Sequence, residues 1–309
     1  METLRRGSRA GGVVLVLAAA VLWSTGGVGI KSVDLPPLAL AGWRGLFALP
    51  VLAGVVAMRA RSIGGVPWRR AASSLPVWIG VASYSVMVIA FVAATKLTTA
   101  ADAIFIQYTS PVYVALLSWP LLRERITWRD GVACLGVLVG MVLFFRAGLS
   151  SSAQLGNGIA VLSSFGAAGL PLALRADQRR LSSGGSWQAA ALSPLLVIAA
   201  GDVLAVLLCA PAMLSAPVPS WGGGTMAVLA LLGLGQIGLP YVLYGLAVPR
   251  LTAMEGALLP TLEPILNPVW VALFTGETPG RLALVGGAFV LGSVLFRAAG
   301  GSPHAKAVR

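Results

Sequence analysis

Three charged side chains stand inside long apolar runs: Arg44, Asp202 and Glu263. A charge at membrane depth is costly, so such residues usually face a cavity, a partner or an ion path. At 1.5 Å per helical residue, Glu263 lies ~18 Å along its run from Thr252, and Arg44 lies ~12 Å into its own. Glu263 suits proton coupling or cation binding. Its structural alternative is a hydrogen bond to backbone released by Pro260, Pro264 or Pro268. Arg44 suits a substrate carboxylate or phosphate, or else serves as the structural partner of Glu263, Asp202 or helix carbonyls. Asp202 is expected in the outer half of its run, in a structural or water-facing role.

Polar and aromatic residues accompany these charges. Asn267 and Trp270 follow Glu263 at i+4 and i+7, on one helical face. For Trp270, core packing alone is the favoured reading. An earlier run offers Gln107 and Ser110, and others supply Trp23, Ser24, Tyr84, Gln236 and Tyr244. On a regular helix Gln236 and Tyr244 share a face, and Tyr241 points elsewhere. Rings with a few polar tips suit an amphipathic or cationic organic ligand. Catalytic signatures are missing: the sequence has no Walker A loop, no HExxH, no zinc-ligand spacing and no nucleophile–base pair. Its one histidine, His304, lies in a polar tail. Cys134 and Cys209 sit in apolar runs and read as small hydrophobes. The expected chemistry is therefore binding rather than catalysis, without cofactor or metal.

The elements that must position these residues follow from composition. Of 309 residues, 57% are apolar and only 10% are charged. A soluble chain carries about 25% charged residues. Ten apolar runs lie near 12–31, 36–58, 73–95, 98–121, 128–146, 157–175, 187–213, 225–248, 252–275 and 281–298. Most approach the ~20 residues needed to cross a bilayer as helix. The fold class expected is an all-α polytopic membrane protein. The start METLRRGSRA resembles a signal peptide, but the run behind it is long enough to span and reads as an uncleaved first helix.

The net charge of +12 does not point to nucleic acid, because the excess sits in short loops between spans. Lys31, Lys96, Arg146 and Arg281 fall on one side, and all other loop and terminal basic residues fall on the side of the N-terminus. By the positive-inside rule both termini are cytoplasmic, in a plasma (inner) membrane protein.

Leu251–Glu277 repeats the pattern of Thr98–Glu124 at a constant offset of 153 residues. Pro111 falls on Pro264, Asp102 on Glu255, and Thr99-Ala100 on Thr252-Ala253. The same offset carries Gly80 onto Gly233, Ser83 onto Gln236 and Phe91 onto Tyr244. An odd number of spans per copy inverts the second copy, giving ten transmembrane helices as two inverted five-helix repeats. The expected division is 1–147, a linker at 148–156, 157–299, and a cytoplasmic tail at 300–309. Pro111 and Pro264 loosen their helices and are gating candidates. Gly136 and Gly140, with Ala288 and Gly292 in the last helix, allow close helix approach, within the monomer or in a dimer.

This arrangement, with TSPVYVALLSWPLLRERIT, LEPILNPVWVALFTGE, GWRGLFALP and ATKLTTAADA, resembles the EamA-type members of the drug/metabolite transporter superfamily. The resemblance covers nearly the whole chain. It implies alternating-access transport of small metabolites, amino acids or drug-like compounds, usually outward, and a cavity lined by the first, third, fourth, sixth, eighth and ninth helices. One departure is RERIT where the second copy has TGETPG. The expected partners are a small-molecule substrate, the lipid bilayer, and protons or another counter-ion. An uncoupled facilitator, an exchanger or an importer of the same fold is the alternative. A membrane enzyme or an assembly factor is the rival from another class. The sequence leaves substrate identity and oligomeric state open.

Overall fold

The computed structural model describes residues 8–62, 64–65, 73–124, 126–145, 154–183, 187–216, 224–266, 270 and 281–299. The first span is split into α1 (Arg9–Trp23) and α2 (Gly26–Ser32). α3 (Pro37–Ser62) and α4 (Leu75–Leu97) follow without a break. The fourth span is split into α5 (Ala100–Gln107) and α6 (Ser110–Leu122), and α7 (Trp128–Phe145) ends the first half. The second half opens with α8 (Gln154–Ser183) and α9 (Trp187–Ser215). The eighth span runs as α10 (Gly224–Ala230), a π-helical stretch Leu231–Gly238, and α11 (Leu239–Ala247). The ninth begins as α12 (Ala253–Leu258), tightens to a 3-10 turn over Leu259–Leu262, and is helical again over 263–266. α13 (Arg281–Ala299) is the tenth.

Six stretches are each long and apolar enough to cross a bilayer: Arg9–Ser32, Pro37–Ser62, Leu75–Leu97, Gln154–Ser183, Gln188–Ser215 and Gly224–Arg250. Helix α8 begins inside the expected linker, at Gln154. Outward-facing leucines such as Leu116 and Leu207 are largely exposed. In lipid that exposure carries no hydrophobic penalty.

The duplication is visible in local structure. Both repeats enter their fourth helix through a threonine cap. Thr99 Oγ1 accepts from the Asp102 N–H at 2.9 Å, and Thr252 Oγ1 from the Glu255 N–H at 3.2 Å. Glu255 also accepts from the Thr252 N–H at 2.8 Å, completing a capping box. The break at Tyr108-Thr109 and the 3-10 turn at Leu259–Leu262 coincide under the 153-residue offset.

The paired glycines Gly80 and Gly233 mark equivalent helix contacts. A Cβ on Gly80 would come within 2.7 Å of the Val197 side chain in α9. One on Gly233 would come within 2.2 Å of Phe47 Cβ and 2.7 Å of the Arg44 carbonyl in α3. The third span thus packs on the seventh as the eighth packs on the second, which is what inverted repeats generate. Close approach also joins α7 to α13, where a Cβ on Gly140 would meet the Gly286 carbonyl at 2.6 Å. The Gly136/Gly140 pair therefore serves packing within the monomer.

The two ends of the bundle differ in charge. Among the described residues every salt bridge lies at the end that carries Arg9 and Arg297. Arg297 reaches Asp130 at 2.5 Å and Glu255 at 3.3 Å, and Arg9 reaches Glu255 at 2.7 Å. Arg175 and Arg179 hold Glu124 at 2.7 and 2.9 Å. At the opposite end, Lys31 Nζ donates to the Thr98 carbonyl at 2.7 Å, and Lys96 donates to the Val33 carbonyl.

Candidate functional site

Interruptions of regular helix place the polar groups of the membrane interior. Where α1 stops, the Trp23 carbonyl accepts from Gln236 Nε2 at 3.2 Å. Gln236 lies in the π-helical stretch, a geometry that recurs at functional sites. Its Oε1 accepts from Arg44 Nη2, so one amide ties the first, second and eighth spans together. At the break of the fourth span the Tyr108 hydroxyl donates to Glu263 Oε2 at 2.5 Å. Glu263 is the first residue beyond the 3-10 turn of the ninth span. Non-regular backbone at membrane depth is tolerated where it is buried in protein or lines a cavity, and here it does both.

These groups border a cavity of about 80 Å³, walled by Trp23, Arg44, Gln107, Tyr108, Ser110, Gln236, Tyr241, Tyr244 and Glu263 with apolar Met87, Phe91 and Leu170. At ~10–15 Å³ per water-sized position it holds several small groups. Its aromatic side is a connected cluster. Trp23 lies 4.8 Å from Tyr241 and 5.7 Å from Tyr244 between ring centroids, and Tyr241 meets the edge of Tyr84 at 4.8 Å. Towards the salt-bridged end, the space between Pro171, Arg175, Tyr244, Thr252 and Gly256 is too tight for a water molecule. The Tyr244 hydroxyl there donates to the Gly256 carbonyl at 3.3 Å.

Of the residues expected from sequence, Trp23, Gln107, Ser110, Gln236, Tyr244, Glu263 and Arg44 meet at this cavity. Ser24 and Tyr84 lie behind its wall. Ser24 Oγ donates to the Val21 carbonyl at 2.6 Å and accepts from Trp270 Nε1 at 2.7 Å. The Tyr84 hydroxyl donates to Asp202 Oδ1 at 3.3 Å. Asp202 is buried just past the midpoint of the 29-residue α9. Arg44 makes no salt bridge with Glu263 or Asp202 among the described residues; its hydrogen-bond partner is Gln236. Pro111 occupies the first turn of α6, where it starts a helix instead of bending one. Pro264 falls in the helical residues 263–266, and Asn267 lies outside the described residues.

Two cavity residues escaped the face-by-face reading. Tyr241 was expected to point away from Gln236 and Tyr244, yet all three line the cavity. The π-helical stretch has more residues per turn than the regular helix assumed, and so rotates the residues beyond it. Tyr108 is on another face from Gln107 and Ser110 in a straight helix, and the backbone break at Tyr108-Thr109 brings it in.

Residues 10–146 match the EamA-like transporter family. No curated protein matches the chain. A solved structure described as "Crystal structure of protein" is similar over 94% of this chain and 97% of its own, with a TM-score of 0.71 and 20% identity. At that identity the likeness bears on the fold alone. The first half of the chain is thus similar to the EamA-like transporter family, and this match, with the all-helical multi-pass architecture, the repeated local structure and the cavity between the halves, supports an EamA-type membrane transporter of the drug/metabolite transporter superfamily.

Proposed function

We propose that this protein is a secondary active exporter of small metabolites, amino acids or drug-like compounds, working by alternating access in the plasma membrane with both termini cytoplasmic. The observation that carries this reading is the cavity itself. It is walled by both repeats, and its polar groups sit at the interruptions of the first, fourth, eighth and ninth spans. Discontinuous helices meeting at a repeat interface near the midplane are how secondary transporters build substrate sites. Trp23, Gln107, Ser110, Gln236, Tyr244 and Glu263 are the substrate-contacting candidates, with Asn267 continuing the face of Glu263.

Rocking of one repeat against the other would open the salt-bridged end, which the tight packing of Tyr244 on Gly256 closes in this conformation. Pro111 and Pro264, beside the breaks, are the gate candidates. Glu263 is the proton-coupling candidate, because its carboxylate is buried on the cavity wall and held by a single donor, Tyr108, among the described residues.

The deciding experiment is substrate-stimulated proton flux in proteoliposomes, across amino acids, nucleobases, organic cations and sugars. Flux with one class, abolished in Glu263→Gln, supports a proton-coupled carrier. Substrate movement without proton flux makes the protein a facilitator or exchanger. Movement of no compound in either direction would end the transport reading.

A further inference from the structure

Two residues that line the cavity each carry a buried hydrogen-bond donor without a partner among the described residues: Arg44 at Nε and Trp23 at Nε1. Both side chains are more than nine-tenths buried, with exposures of 3% and 8%. Buried donors in native proteins are almost always satisfied, so two on one cavity wall require an acceptor. Gln236 links the two residues. Its carbonyl oxygen accepts from Arg44 Nη2, and its amide nitrogen donates to the backbone carbonyl of Trp23. The amide thereby holds Nη2 and leaves Nε without an acceptor.

The protein's own carboxylates do not satisfy these donors. Glu263 Oε2 accepts from Tyr108, Asp202 Oδ1 accepts from Tyr84, and Asp202 is not on the cavity wall. A guanidinium in the membrane interior without a directly paired carboxylate is expensive, and its planar donor set matches a carboxylate. The wall beyond is apolar and aromatic: Met87, Phe91, Leu170 and Tyr241.

We infer that the cavity takes organic monocarboxylates, zwitterions included, seating the substrate carboxylate on Arg44 Nε and Trp23 Nε1 and its apolar body against Phe91 and Met87. Glu263, on the same wall, opposes a second negative charge and tolerates an ammonium group. This assignment rests on the transport reading for its meaning but is tested by binding as well as by flux.

The test uses matched probes on the full-length protein: 3-phenylpropionate, its amide 3-phenylpropionamide, phenylalanine and phenethylamine. In detergent, millimolar 3-phenylpropionate and phenylalanine raise the melting temperature, and the amide and the amine do not. In proteoliposomes the same two acids are the members moved. Trp23→Phe keeps the ring and removes the donor. It melts at the wild-type temperature without ligand, loses the ligand-induced shift, and raises KM for the acids at least fivefold with kcat little changed. Arg44→Lys keeps the charge without the planar edge and raises KM at least tenfold. A thermal shift without flux upholds the carboxylate site and removes the transport reading. Flux of the amide or the amine equal to that of the acids, or an unaltered KM in Trp23→Phe, overturns the inference and leaves transport standing. Absence of any shift with either acid overturns it outright.

Discussion

Tyr108 and Glu263 are joined by a 2.5 Å hydrogen bond, hydroxyl to carboxylate, between the break in the fourth span and the end of the 3-10 turn in the ninth. Under the 153-residue offset these are equivalent regions of the two repeats. The bond therefore crosses the pseudo-symmetry of the molecule where each repeat departs from regular helix. Any movement of one repeat against the other has to strain, shift or exchange it.

Removing the Tyr108 donor leaves the buried Glu263 carboxylate short of its partner, at a cost of about 1–3 kcal/mol. Tyr108→Phe should lower transport roughly tenfold or more while the protein remains folded. Glu263→Gln, which can still accept from Tyr108, should keep the fold and lose pH dependence. Rates measured across an imposed pH gradient check both. Unchanged rates and pH dependence in Glu263→Gln would remove Glu263 from the coupling mechanism.

Helix contact at Gly233 leaves no room for a side chain, because Phe47 and the Arg44 carbonyl already occupy the space. Gly233→Val should destabilise by at least ~1–3 kcal/mol through overpacking and disturb Arg44 at the same time. Gly292 faces open space on α13, so Gly292→Ala should be near neutral or slightly stabilising. Melting temperatures in detergent compare the two.

Arg297 is 1% exposed and bridges Asp130 of the first repeat to Glu255 of the second. Taking it away leaves the buried Asp130 without its cation and Glu255 with Arg9 alone, and breaking a buried pair in this way costs roughly 3–5 kcal/mol. Arg297→Ala should therefore melt well below the wild type. It should also make a cysteine placed at Gly256, beneath the Tyr244 contact, react faster with a thiol reagent applied from the Arg297 end. Unaltered reactivity would confine the network to stability.

The two threonine caps offer an internal control. Thr252→Ala removes half of a capping box, and Thr99→Ala a one-way cap. Each should cost about 1 kcal/mol, with the Thr252 change the larger. Thermal melts of the two variants would show whether the repeats, alike in sequence here, are alike in energy.

Much of the architecture was legible because lipid leaves few choices. Apolar runs of spanning length must be helical, and an offset repeat with five runs per copy must invert. Thr252 and Glu255 stood out in the sequence only as the partners of Thr99 and Asp102 under the offset, and the structure joins them as a cap. The conjunction of Glu263, Arg44, Trp23, Gln107 and Gln236 around one cavity was approached through charge and polarity alone.

What the sequence determined by itself is therefore whatever depends on local spacing and on the cost of exposing backbone or charge to hydrocarbon: the spans, their duplication and the buried polar set. The tertiary structure decided which of those polar groups face each other. Regular-helix geometry hid Tyr108 and Tyr241, and polarity alone put Ser24 and Tyr84 at the cavity when they lie behind its wall. The breaks at Trp23 and Tyr108 and the π-helical stretch before Tyr241 rotate side chains by amounts no fixed period anticipates. Such interruptions persist because neighbouring spans satisfy the freed backbone, as Gln236 does for the Trp23 carbonyl, and that partnership exists only once the two repeats have packed together.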